Sequence, residues 1–101
     1  MKVDFFKNRI FVFTPKGDPI DLPLYSTSVD FAYAIHSEIG DHMFGAKVNG
    51  KLVSLDTPLI NGDTIEIITK SSSKPSPKWL DYTHTAVARH HIRSSLSKSK
   101  R

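Results

Sequence analysis

From Arg9 onward the chain sets short apolar runs against compact polar punctuation. Ile10 to Thr14 is β-branched or aromatic, which predicts a strand. Pro15-Lys16-Gly17-Asp18 then supplies a fixed φ, a residue free to take positive φ and a polar exit, the chemistry of a turn. Asp18 to Leu24 alternates Ile20 and Leu22 against Asp21 and reads as the returning strand of a hairpin. Pro19 and Pro23 cannot donate to a ladder, so that strand is expected at an edge.

The period then changes from two to that of a helix. Thr27 is the expected N-cap, and Asp30 stands three residues on, where an acidic side chain closes a capping box. Gly40, just past Ile39, predicts a left-handed residue ending the helix. Phe31, Ala32, Ile35 and Ile39 form one apolar stripe, with Val29, Tyr33 and His36 on an adjoining flank. His36 is therefore expected at the border between core and water.

Further on, Ala46-Lys47-Val48 and Leu52-Val53 are short strands joined through Asn49-Gly50, a strong hairpin signal. Leu55 to Ile60 is an extended or turning segment broken by Pro58, Asn61-Gly62-Asp63 is a tight turn, and Thr64 to Thr69 is a strand. Five strands and one main helix predict an α+β domain with a five-stranded mixed sheet. A hairpin followed at once by a helix is the opening of a β-grasp, or ubiquitin-like, fold. A core of this size buries about 60% of the unfolded surface, so modest stability is expected.

Ile10 and Val12 point opposite to Phe11 and Phe13, and Ile65 and Ile67 opposite to Ile68. The pattern leaves open which set meets the helix. Either way the second face is apolar enough to need cover from the C-terminal segment, a second copy or a neighbouring domain. The resulting partition is a lead-in over residues 1–8, whose Phe5 and Phe6 could pack under the first strand, and a β-grasp domain over 9–70. A linker over 71–77 and the start of a helical region over 78–101 follow. Ser76-Pro77 can open a helical turn carrying Trp79 and Leu80. Thr85, Ala88, Ile92 and Leu96 then recur at helical spacing, a stripe too narrow to hold a lone helix, and the final SKSKR is expected to fray.

Composition trims the possibilities. A length of 101 residues means one domain. With no cysteine, disulfide scaffolds and thiolate chemistry are excluded. No apolar run is long enough to span a membrane, no signal-peptide pattern opens the chain, and a cytoplasmic setting fits. The net charge of +4 suggests an anionic partner until it is placed. Residues 1–70 hold seven Lys/Arg against nine Asp/Glu, a balance of −2, while residues 71–101 hold seven against one, a balance of +6. The compact part is not a basic domain.

The segments FVFTPKGDPIDLP, VDFAYAIHSEIG and GAKVNGKLVSLDTPLINGDTIEIIT closely resemble the TGS domain of RelA/SpoT-type stringent-response enzymes. The similarity covers about Arg9 to Thr69, and KPSPKWLDYTHTAVARHHIR looks like the segment that follows this domain in the same enzymes. Ser28 departs from a proline often found at the start of the family's helix, and Tyr25 replaces a smaller residue. The resemblance implies a regulatory β-grasp module without catalysis or cofactor, the alarmone (guanosine tetra- and pentaphosphate) synthetase and hydrolase activities belonging to domains that precede it. It implies as partners an uncharged tRNA and the ribosome in the full-length parent, with the helix histidine, here His36, against the 3′ CCA end. It also leaves acyl carrier protein, or the parent's own catalytic domains, as docking partners, and two copies could pair through the open sheet face.

Candidate contacts follow from both lines. His36, beside Tyr33, could stack on an unpaired terminal base, an interaction worth roughly 1–3 kcal/mol that needs little net charge. Against this stands a boundary histidine that merely caps the core edge. Lys16, Lys47 and Lys51 lie in or beside turns and could meet phosphates, or could be ordinary solvated lysines. Arg89 and Arg93, with His90 and His91, form the densest basic cluster, suited to an RNA backbone or simply to a solvated helix face. A metal site is not expected: His84 and His91 are two turns apart, about 10 Å along a helix. Nor is catalysis, since consecutive His36, Ser37 and Glu38 fan out and form no triad, and no glycine loop cradles a phosphate.

Overall fold

The computed structural model describes residues 8–99, so the expectations for Phe5, Phe6, Lys100 and Arg101 lie outside the described residues. Strands β1 (Arg9–Phe13) and β2 (Pro19–Pro23) form the expected antiparallel hairpin, Ile10 opposite Leu22 and Val12 opposite Ile20. Its turn needs Gly17, which takes φ +92. Helix α1 (Ser28–Ile35) follows, then a second short helix, α2 (Ser37–Asp41). Strands β3 (Met43–Val48), β4 (Lys51–Val53) and β5 (Ile65–Thr69) come next, all antiparallel, with β3 in the middle. Asn49 and Gly50 both have positive φ, 52 and 87, as the tight β3–β4 turn requires.

The architecture is the expected α+β one, a β-grasp with five strands, but they do not make one continuous sheet. They form a two-stranded and a three-stranded sheet that touch at a single parallel bridge, Phe13 to Thr64. The cause is local. β1 runs alongside the Asn61–Thr64 turn rather than along β5. Phe11 N–H donates to the Asn61 side chain, Gly62 N–H to Phe11 O and Phe13 N–H to Asp63 O, each at 2.8 Å. The chain then turns away at Pro15, which has no N–H with which to extend a ladder.

The question of faces is answered by burial. Ile10, Val12, Leu22, Leu59 and Ile65 pack against Phe31 of α1, so the even positions of β1 meet the helix layer. Leu59 is seated there by the bridge between Thr27 and Pro58 and by its N–H bond to Ser26 O. Phe11 points away and stays 47% exposed, and Leu52 is 70% exposed. The C-terminal segment does not cover that outer face. It forms a 3-10 helix (Pro77–Tyr82) and a third helix, α3 (Ala86–Ser99), which lie on the far side of α1. There Trp79, Ala88 and Ile92 join Val29, Ala32, Tyr33 and Met43 in a second apolar cluster. Ser76 opens the 3-10 helix as its cap, with Pro77 in the first turn.

The expected helix through Ile39 breaks at His36, whose backbone is extended (φ −170, ψ 143). Gly40 therefore does not end a helix. It lies inside α2 and is not among the glycines of positive φ. Its role is one of space: a Cβ there would collide with the ring of Tyr33.

Candidate functional site

The break between α1 and α2 is where the fold presents His36. The last turn of α1 closes with the His36 N–H bonded to Ala32 O at 3.2 Å. The ring then folds over the start of α2, its Nδ1 accepting from the N–H of Glu38 at 3.1 Å. A neutral imidazole that accepts at Nδ1 carries its hydrogen on Nε2. The residue is exposed, so Nε2–H and the ring are open to a visitor.

Beside it lies a cleft of about 290 Å³ walled by Thr14, Pro15, Phe31, Ile35, Ile39 and Ile67, among others. It opens where β1 has left and β5 continues. Lys16 and His36 are both exposed, and each directly follows a wall residue, Pro15 and Ile35, but neither lines the cleft itself. On the other side of α2 a polar groove of about 430 Å³ runs along α3, lined by Ser37, Asp41, His90, His91, Ser94 and Lys98.

The other expected contacts scatter. Tyr33, expected beside His36 as a contact for RNA, is only 3% exposed, so its ring has little surface to offer a visitor. Its hydroxyl donates to Asp41 Oδ1 at 2.8 Å, and its ring stacks on His91, centroids 5.8 Å apart and planes within 5°. Burial first, and the Asp41 carboxylate second, push the Tyr33 phenol far above its usual value, so it keeps its proton. Lys47 is half-buried, its neighbours across the strands being Leu52 and Glu66, on the sheet face turned away from the helices. Lys51 is exposed at the β3–β4 hairpin. Arg89 is half-buried and donates to Thr83 O at 3.4 Å, a tie within the C-terminal segment. Arg93 is exposed on α3, and His90 meets His91 edge-on at 5.6 Å. Lys16 is exposed in the β1–β2 turn.

The residue most underestimated by local pattern is Asp30. It closes the capping box as expected, accepting the Thr27 N–H at 3.0 Å. Fully buried, it also accepts the N–H groups of His84 and Thr85 and the Thr85 hydroxyl, at 2.9 to 3.0 Å. The Thr85 hydroxyl in turn accepts from Ala88 N–H at 3.2 Å, capping α3. Nothing within four residues of Asp30 announces these partners. Among the described residues no group of three or more His, Asp or Glu is placed to hold a metal ion, and no helix is long and apolar enough to cross a membrane.

A family model described as "TGS domain" matches residues 10–69. Over its whole length the chain is 48% identical to a GTP pyrophosphokinase of Myxococcus xanthus and 48% identical to a probable guanosine-3′,5′-bis(diphosphate) 3′-pyrophosphohydrolase of Synechocystis. It is 44% identical to a bifunctional (p)ppGpp synthase/hydrolase RelA of Mycobacterium tuberculosis. The chain spans only 13 to 14% of the length of these relatives.

Proposed function

The chain belongs to the TGS domain family, in its RelA/SpoT-type form, and from that premise we propose that it is a non-catalytic sensor module of a larger alarmone synthetase/hydrolase. Its input is the unpaired 3′ CCA end of an uncharged tRNA on the ribosome, met by His36. The observation that carries this reading is the exposed imidazole held at the break between α1 and α2 with Nδ1 tied inward. A ring so held offers a face for base stacking and an Nε2–H donor. Stacking of this kind supplies roughly 1–3 kcal/mol per base. That suits residues 1–70, where charge alone supplies no attraction for RNA.

The test is His36→Ala in the full-length parent. Stimulation of alarmone synthesis by uncharged tRNA on ribosomes is expected to vanish while basal synthesis persists. Stimulation at the native level would remove the reading. A second reading, a docking module for acyl carrier protein or for the parent's catalytic domains, is supported by the outward sheet face, where Leu52 stands exposed across from Lys47, and by Phe11, exposed on β1. Titration of labelled acyl carrier protein onto the chain tests its first branch, and a signal that never saturates counts against it.

A further inference from the structure

His36 does not hold itself in place. Its backbone is extended between two helices, and its ring makes a single hydrogen bond, to the N–H of Glu38 in α2. Where the imidazole points therefore depends on where α2 lies. Helix α2 has only five residues, too short to be stable alone, so its position must come from tertiary contacts.

Two of those contacts come from Tyr33. One is polar: the phenol donates to Asp41 Oδ1, at the C-terminal end of α2. The other is steric: the Tyr33 ring fills the space that a side chain at Gly40 would take. A bond and a shape together fix α2 against α1. The Tyr33 ring is itself held from the C-terminal segment, stacked on the His91 imidazole of α3. Helix α3 is fixed to the start of α1 by the Asp30 carboxylate at Thr85, the residue just before α3 and six before His91.

We propose that Tyr33 is a positioning residue for His36, and that His91 of α3 steadies it, so that the segment after residue 70 controls how the imidazole is presented to RNA. This rests on the reading of His36 given above. A core role alone does not account for the hydroxyl, since a phenylalanine would fill the same volume. What the hydroxyl adds is a directional bond to α2, and burial, with Asp41 beside it, raises the phenol so that it stays a donor at neutral pH.

The test uses the full 101-residue chain and a short RNA ending in unpaired CCA, followed by NMR. In the native protein the His36 Nδ1 resonance is expected at the position of an unprotonated acceptor and Nε2 at that of a protonated nitrogen. In Tyr33→Phe the two should move toward each other as the ring exchanges tautomers. Affinity for the RNA should fall about fivefold, the equivalent of one hydrogen bond of about 1 kcal/mol. In a His36→Ala background, adding Tyr33→Phe should cost no further affinity. His91→Ala should move the same nitrogens in the same direction by less. Asp41→Ala removes the acceptor instead of the donor and should reproduce Tyr33→Phe, which guards against a fault peculiar to one variant. Unchanged His36 nitrogens in both Tyr33→Phe and Asp41→Ala, or affinity losses that add in the double variant, would overturn the proposal. If His36→Ala leaves RNA affinity untouched, the RNA reading fails on its own, and the ring-nitrogen shift still decides whether Tyr33 positions the imidazole.

Discussion

Helix α1 is buried on two sides, and the sides differ in where their partners come from. Toward the sheet, Phe31 packs on Ile10, Val12, Leu22, Leu59 and Ile65, all within the span matched by the family model. On the far side, Val29, Ala32 and Tyr33 pack on Trp79, Ala88 and Ile92, which lie beyond it. The first interface is apolar throughout. The second has a carboxylate at its edge, and that carboxylate caps two helices at once: α1 through Thr27 N–H and α3 through the N–H groups of His84 and Thr85. A negative group at the N-terminus of a helix is favourable, and here one group serves both ends. The difference teaches that the stretch sharing a family pattern is shorter than the stretch that buries its core. The helix carrying His36 at its end rests on both.

Removing one side is the strongest way to break the comparison. A chain ended after Lys74 loses Trp79, Ala88 and Ile92 and leaves Val29, Ala32 and Tyr33 facing water. Truncating a single buried aliphatic typically costs 2–5 kcal/mol, so the loss here should exceed about 5 kcal/mol, much of what a domain this size has. Thermal unfolding followed by circular dichroism should lose its cooperative step. A melting curve within a few degrees of the native one would show that the second side contributes little. Asp30→Ala is a narrower cut. If Asp30 served α1 alone, the loss would be that of a cap, about 1 kcal/mol. With the part-buried His84 and Thr85 N–H groups also left without their acceptor, about 2 to 3 kcal/mol is expected. Urea unfolding separates the two values, provided the slope is unchanged.

What could be read from the chain beforehand was what local chemistry decides. The Pro15–Asp18 turn, the Asn49-Gly50 hairpin and the Thr27–Asp30 capping box each depend on residues within four positions of one another. The features that escaped depend on residues far apart. Gly40 looked like a helix stop because a glycine after an apolar residue usually is one, whereas its cause is the Tyr33 ring lying over it. The sheet is interrupted because the Asn61 side chain takes the place of a strand beside Phe11, across 50 residues. Asp30 finds its second set of donors 54 and 55 residues away. For the candidate site, periodicity placed His36 at the water's edge correctly, since one stripe suffices for that. It could not show that Tyr33 is buried, since nothing near it in sequence announces the His91 ring stacked on it.

The smallest effect should come from the surface that neither side of α1 uses. Leu52 stands 70% exposed on the outward face of the sheet, across from Lys47. Leu52→Lys removes little buried area, so unfolding free energy should change by no more than about 0.5 kcal/mol. That near-silence is informative because the same change puts a charge in the middle of the proposed docking surface. If the face receives a partner, binding should weaken while the melting curve stays where it was. If instead two copies pair there, sedimentation at high concentration should shift toward the monomer with the same unchanged melting temperature. A loss of stability of 2 kcal/mol or more would mean that Leu52 is packed in solution against part of its own chain, and the outward face would then belong to the fold rather than to a partner.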